Sequence, residues 1–84
     1  MKLNYHTDAG HGWIAVKRKL LDDLGLSNKI TPFSYMKGQT VYLEEDQDAA
    51  LFLNVLKDSG IVYKLVEKYR NRSPIRNYPS YSVM

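Results

Sequence analysis

The 84-residue chain has no cysteine, only three prolines and a single tryptophan. Without thiols, neither a disulfide nor a thiolate-held metal can supplement the hydrophobic core. No apolar run approaches the roughly 20 residues that cross a bilayer. The N-terminus also lacks the basic, apolar and small-residue succession of a signal peptide. These absences lead to the expectation of a soluble, cytoplasmic protein without membrane insertion. The length suits one domain. At an ordering cost of about 1.5 kcal/mol per residue, most apolar side chains must enter one core. Excess charge is scarce too: 12 basic against 9 acidic residues leave +3, too little on its own to establish nucleic-acid binding. Its distribution says more, because residues 68–76 hold Lys68, Arg70, Arg72 and Arg76 and no acid.

Met1–His6 has the alternation of a strand, with Leu3 and Tyr5 on one face. A second strand follows through Trp13-Ile14-Ala15-Val16 after an irregular turn. Lys17–Leu24 carries Leu20, Leu21 and Leu24 at helical spacing, and Gly25 stands where such a helix stops. Phe33–Met36 and Thr40–Leu43 bracket Lys37-Gly38-Gln39 as a hairpin. Val41 and Leu43 share one face there; Thr40, Tyr42 and Glu44 share the other. Asp46 or Asp48 is expected to cap a second helix running to about Asp58 or Ser59, with Ala49, Phe52, Leu53 and Leu56 as its apolar stripe. Ile61–Tyr69 reads as a last strand, with Val62 and Val66 allowing burial on both sides. The predicted class is α+β, in the order β-β-α-β-β-α-β. Two helices cover one face of a small antiparallel or mixed sheet. Residues 1–69 form the compact domain. Residues 70–84 form a basic, tyrosine-containing tail, with Ile75, Tyr78 and Tyr81 able to fasten it to the fold.

Asp8-Ala9-Gly10-His11-Gly12-Trp13 crowds two glycines, a carboxylate, an imidazole and the tryptophan. It is either a demanding turn or a site. His6, Asp8 and His11 have the ligand atoms for a divalent metal, but they match no zinc spacing and no further His or Cys completes a set. The structural reading therefore ranks first, and neither a metal nor another cofactor is expected. Trp13 is read as a core or rim aromatic. The acidic run Glu44–Asp48 is read as helix-capping rather than magnesium-binding. A Ser-His-Asp set can be assembled only on paper, without an activated serine turn.

Three segments, HTDAGHGW (His6–Trp13), SYMKGQTVYLEEDQDA (Ser34–Ala49) and RSPIRNYP (Arg72–Pro79), together resemble small uncharacterised proteins carried by bacteriophages, plasmids and related mobile elements. That resemblance implies a compact accessory or host-interaction protein and no particular reaction. The leading expectation is a non-enzymatic protein-interaction module whose partner is a host or mobile-element protein. Arg70, Arg72, Arg76, Tyr78 and Tyr81 would be the contacting residues. Nucleic-acid binding through the same basic aromatic segment ranks second. A metal-dependent hydrolase built on His6, Asp8 and His11 ranks third.

Overall fold

The computed structural model describes residues 1–83. β1 (Lys2–Thr7) and β2 (Gly12–Lys17) form an antiparallel hairpin, and α1 (Arg18–Asp23) follows without a break. The helix ends at Gly25, whose φ is +70°, and the Leu26 N–H donates to the Leu21 carbonyl at 2.9 Å. That bond turns Leu26 back into the core. β3 (Tyr35–Lys37) and β4 (Thr40–Glu44) make the expected hairpin, with Gly38 at φ +58° in its turn. α2 (Asp48–Asp58) then carries the chain to β5 (Lys64–Tyr69), which lies parallel to β1. The strand order is β3-β4-β2-β1-β5, a mixed five-stranded sheet.

Register decides which side chains share a face, because directly paired residues point to the same side. Leu3 and Tyr5 of β1, Ile14 and Val16 of β2, and Val41 and Leu43 of β4 face the helices. Leu21, Ala49, Phe52 and Leu56 close over them in one cluster. The α+β class, the element order and the helix-covered face are those expected from the sequence.

Three local expectations need correction. Neither Asp46 nor Asp48 caps α2: Gln47 holds the N-cap position and makes no side-chain cap bond. The Glu44 carboxylate instead accepts the N–H groups of Asp46 and Gln47. Asp48 points inward, where its Oδ2 accepts the Thr31 N–H at 3.0 Å, the Thr31 hydroxyl at 2.7 Å and the Ser34 hydroxyl at 2.5 Å. A buried carboxylate needs several donors, and the 31–34 loop supplies them. The last strand is also shorter than Ile61–Tyr69, and none of its residues is buried. Val62, expected to permit burial, is 84% exposed. β5 is an edge strand beyond the cover of the helices, so its apolar pattern did not translate into a core position.

The C-terminal segment belongs to the fold. A 3-10 turn at Pro74–Asn77 buries Ile75, and residues 79–81 run beside β3. Tyr35 and Ser80 form an antiparallel bridge, and the Met36 N–H donates to the Pro79 carbonyl at 2.9 Å. Tyr81 enters the core cluster and donates its hydroxyl to the Ser27 carbonyl at 2.6 Å. Among the described residues, no helix is long and apolar enough to cross a membrane.

Candidate functional site

The Asp8–Trp13 stretch is a turn held by its own carboxylate. Asp8 Oδ1 accepts the Gly10 and His11 N–H groups at 2.9 Å each. Arg76, brought over the sheet by the 3-10 turn, donates Nε to Oδ2 at 2.9 Å and Nη2 to Oδ1 at 2.8 Å. This two-pronged guanidinium contact, with the Gly10 and then the His11 N–H, holds the Asp8 carboxyl well below the usual carboxylate range. Arg76 Nη2 also lies 2.9 Å from His11 Nδ1, which accepts because a guanidinium carries only donors. The same guanidinium sits 5.8 Å from the Trp13 ring centroid, and His11 stacks on Trp13 from 6.0 Å.

Both glycines permit close approach. A Cβ on Gly10 would lie 3.0 Å from Arg76 Nη2, and one on Gly12 would lie 2.5 Å from the Tyr5 hydroxyl oxygen. Tyr5 in turn donates to Glu45 Oε2 at 2.6 Å. That bond, with partial burial, pushes the phenol up to about 12.

Of the three suggested metal ligands, Asp8 and His11 meet at Arg76, whereas His6 turns to Tyr42, ring to ring at 5.8 Å. Among the described residues no three His, Cys, Asp or Glu side chains cluster as a metal site. A cleft of about 620 Å³ lies between Trp13, Phe33, Tyr35 and Glu44. Its main polar groups are occupied: Arg76 by Asp8, and Glu44 by the start of α2.

The tail residues separate into two groups. Arg76 is engaged by Asp8, and Tyr81 is buried with its hydroxyl bonded. Arg70 and Arg72 are exposed, and Tyr78 is half-buried with its ring 5.3 Å from that of Tyr42.

The sheet face opposite the helices carries a constellation that sequence reasoning missed. By register, Lys2, Asn4, His6, Ala15, Lys17, Lys37, Thr40, Tyr42, Lys64, Val66 and Lys68 share it. Two adjoining hollows of about 570 and 540 Å³ lie there, with Asn4, His6 and Tyr42 lining both. Together they form a groove from Lys17 and Thr40 at one end, past Tyr42, to Lys68 and Arg70 at the other. Tyr78 flanks Tyr42, and Lys37 Nζ rests 4.9 Å from the Tyr78 centroid. Burial, then the charges of Lys68 and Arg70, lowers the His6 pKa below the usual imidazole value. By register Glu44 is the strand carboxylate on this face, at its far end and paired with Trp13, while Glu67 at the β5 edge also lines the hollow beside Lys68 and Arg70.

No protein-family model, curated protein or solved structure matches the chain.

Proposed function

We propose that the chain is a non-enzymatic nucleic-acid-binding protein of the cytoplasm that lays a single strand along the sheet face opposite its two α-helices, beside the 3-10 turn of Pro74–Asn77. One observation supports this above all: Lys2, Lys17, Lys37, Lys64 and Lys68 share a face with Tyr42 at its centre, against the single strand carboxylate of Glu44. Lysines spaced along a groove attract successive phosphates, and aromatic rings between them offer stacking faces to bases. A single strand fits better than a duplex. α1 has only six residues, and both helices use their apolar sides on the opposite face, so neither is presented to a major groove. A broad sheet face with an aromatic ring among lysines suits unpaired bases, which are free to stack on it. The resemblance to phage- and plasmid-borne proteins gives this proposal its setting, an accessory protein of a mobile element.

The protein-interaction expectation relied on the tail, whose Arg76 and Tyr81 are engaged within the fold. A protein partner suits a different surface, the open edge of β5.

Fluorescence anisotropy with labelled 12-residue oligo-dT, oligo-U and a DNA duplex tests the proposal at low salt. Single strands should bind more tightly than the duplex. Tyr42→Ala should weaken binding about tenfold, in keeping with roughly 1–3 kcal/mol per stacked base. No single-strand binding at low salt, or an unaltered affinity for Tyr42→Ala together with Lys68→Ala, would refute it.

A further inference from the structure

We propose that the outer edge of β5 accepts an extended segment of a partner protein in which acidic and apolar side chains alternate. The sheet has two edges and treats them differently. At β3 the chain covers its own edge with residues 79–81, through the Tyr35–Ser80 bridge and the bonds from Met36 to Pro79 and from Tyr81 to Ser34. At β5 nothing among the described residues pairs on the far side of the strand.

The free groups can be named. Lys64 donates its N–H to the Met1 carbonyl and Arg70 to the Thr7 carbonyl, both on the β1 side. Strand backbones alternate, so even-numbered residues turn toward β1. The N–H and C=O groups of Leu65, Glu67 and Tyr69 therefore point outward, a template for one more strand.

Side chains beside those groups specify what would dock. Leu65 and Tyr69 are 39% and 58% exposed on the helix side of the sheet, with Glu67 between them accepting the Thr7 hydroxyl, and Val62 shortly before the strand is 84% exposed. On the other side stand Lys64 and Lys68, with Arg70 immediately beyond the strand. An incoming strand with apolar residues next to Leu65 and Tyr69 and acids next to Lys64 and Lys68 complements both faces at once.

A second copy of the same edge fits poorly. Two-fold antiparallel pairing keeps each residue opposite one on its own face. Of the registers that align most of β5, one sets Lys64 against Lys68. The other sets Glu67 against Glu67 and Lys64 against Arg70. Like charges directly opposite are destabilising, so charge selects against self-pairing and in favour of an acidic strand.

The test is titration of the full chain with two labelled eight-residue peptides, one alternating Glu with Val and Tyr, the other with Lys in place of Glu. The acidic peptide should bind and the basic one should not. Glu67→Pro removes an outward N–H and none of the donors used toward β1. It should weaken peptide binding at least tenfold, whereas Glu67→Gln retains it. Lys64→Glu combined with Lys68→Glu should reverse the preference to the basic peptide, and this arm decides the matter if Glu67→Pro fails to fold. Absence of binding by the acidic peptide would overturn the proposal. So would equal binding by Glu67→Pro, because the peptide would then sit on the lysine face and not on the edge. Concentration-dependent dimerisation abolished by Glu67→Pro would show a second copy as the occupant instead. Oligonucleotide affinity serves as the separate readout: it should agree within twofold between Glu67→Pro and the charge-matched Glu67→Gln, so this edge can fail without touching the nucleic-acid face.

Discussion

Gly12 has no side chain because the Tyr5 ring occupies the space where one would project. Its missing Cβ would lie 2.7 Å from Tyr5 Cε1 and 2.8 Å from Cζ. The ring cannot swing away without breaking its bond to Glu45. Gly12→Ala is therefore expected to destabilise the protein by about 1–3 kcal/mol through overpacking. Combining it with Tyr5→Leu should cost less than the sum of the two single changes, since both act on one contact. Urea unfolding followed by Trp13 fluorescence measures all three variants, and strict additivity would contradict the account. The Asp8–Trp13 stretch was recognisable as unusual from its composition. Its cause was not, because Arg76 lies 68 positions from the carboxylate it holds. No spacing rule connects residues so far apart. The metal reading of His6, Asp8 and His11 arose in the same way: three potential ligands are close in sequence, but an arginine from the far end of the chain engages Asp8 and His11 while His6 turns to Tyr42.

Elements were more legible than contacts. The spacing of Ala49, Phe52 and Leu56 marked α2, and the alternation of Val41 and Leu43 marked the buried face of β4, because those signals are local. Asp48 shows where locality ends: its place at a helix start suggests a cap, yet its carboxylate ties the 31–34 loop to α2. The C-terminal segment shows the same limit. Prolines and polar residues describe an irregular chain, and irregular chain can still be core. Ile75 is 2% and Tyr81 4% exposed. Replacing a buried aliphatic side chain by alanine costs about 2–5 kcal/mol, so Ile75→Ala is expected to lower stability within that range. A chain ending at Arg72 loses Ile75, Tyr81 and the cover of the β3 edge together. It should unfold far more readily, and thermal unfolding by circular dichroism compares the two. A truncated chain as stable as the full one would show the segment to be an appendage.

At the scale of the whole molecule, the net charge of +3 hides a separation of charge. Lys2, Lys17, Lys37, Lys64 and Lys68 stand on one sheet face, while the helices on the other are nearly balanced, Arg18, Lys19 and Lys57 standing against Asp22, Asp23, Asp48 and Asp58. A trace of this was present in the sequence: Lys2-Asn4-His6 and Lys64-Val66-Lys68 occupy alternate strand positions. Only the parallel β1–β5 register, however, makes them neighbours. If about four of these cations meet phosphates, binding to a single strand should fall with a log–log salt slope near −3, at about −0.7 per phosphate. Raising salt from 50 to 200 mM would then weaken binding roughly 50-fold. Lys17→Ala should lower the affinity and reduce the slope by about 0.7, one phosphate's share. Lys57→Ala, on α2 across the molecule, should change neither. Anisotropy titrations at several salt concentrations separate the two variants. Equal slopes for Lys17→Ala and Lys57→Ala would mean that oligonucleotides respond only to net charge, and the lysine face would then have no special part in holding them.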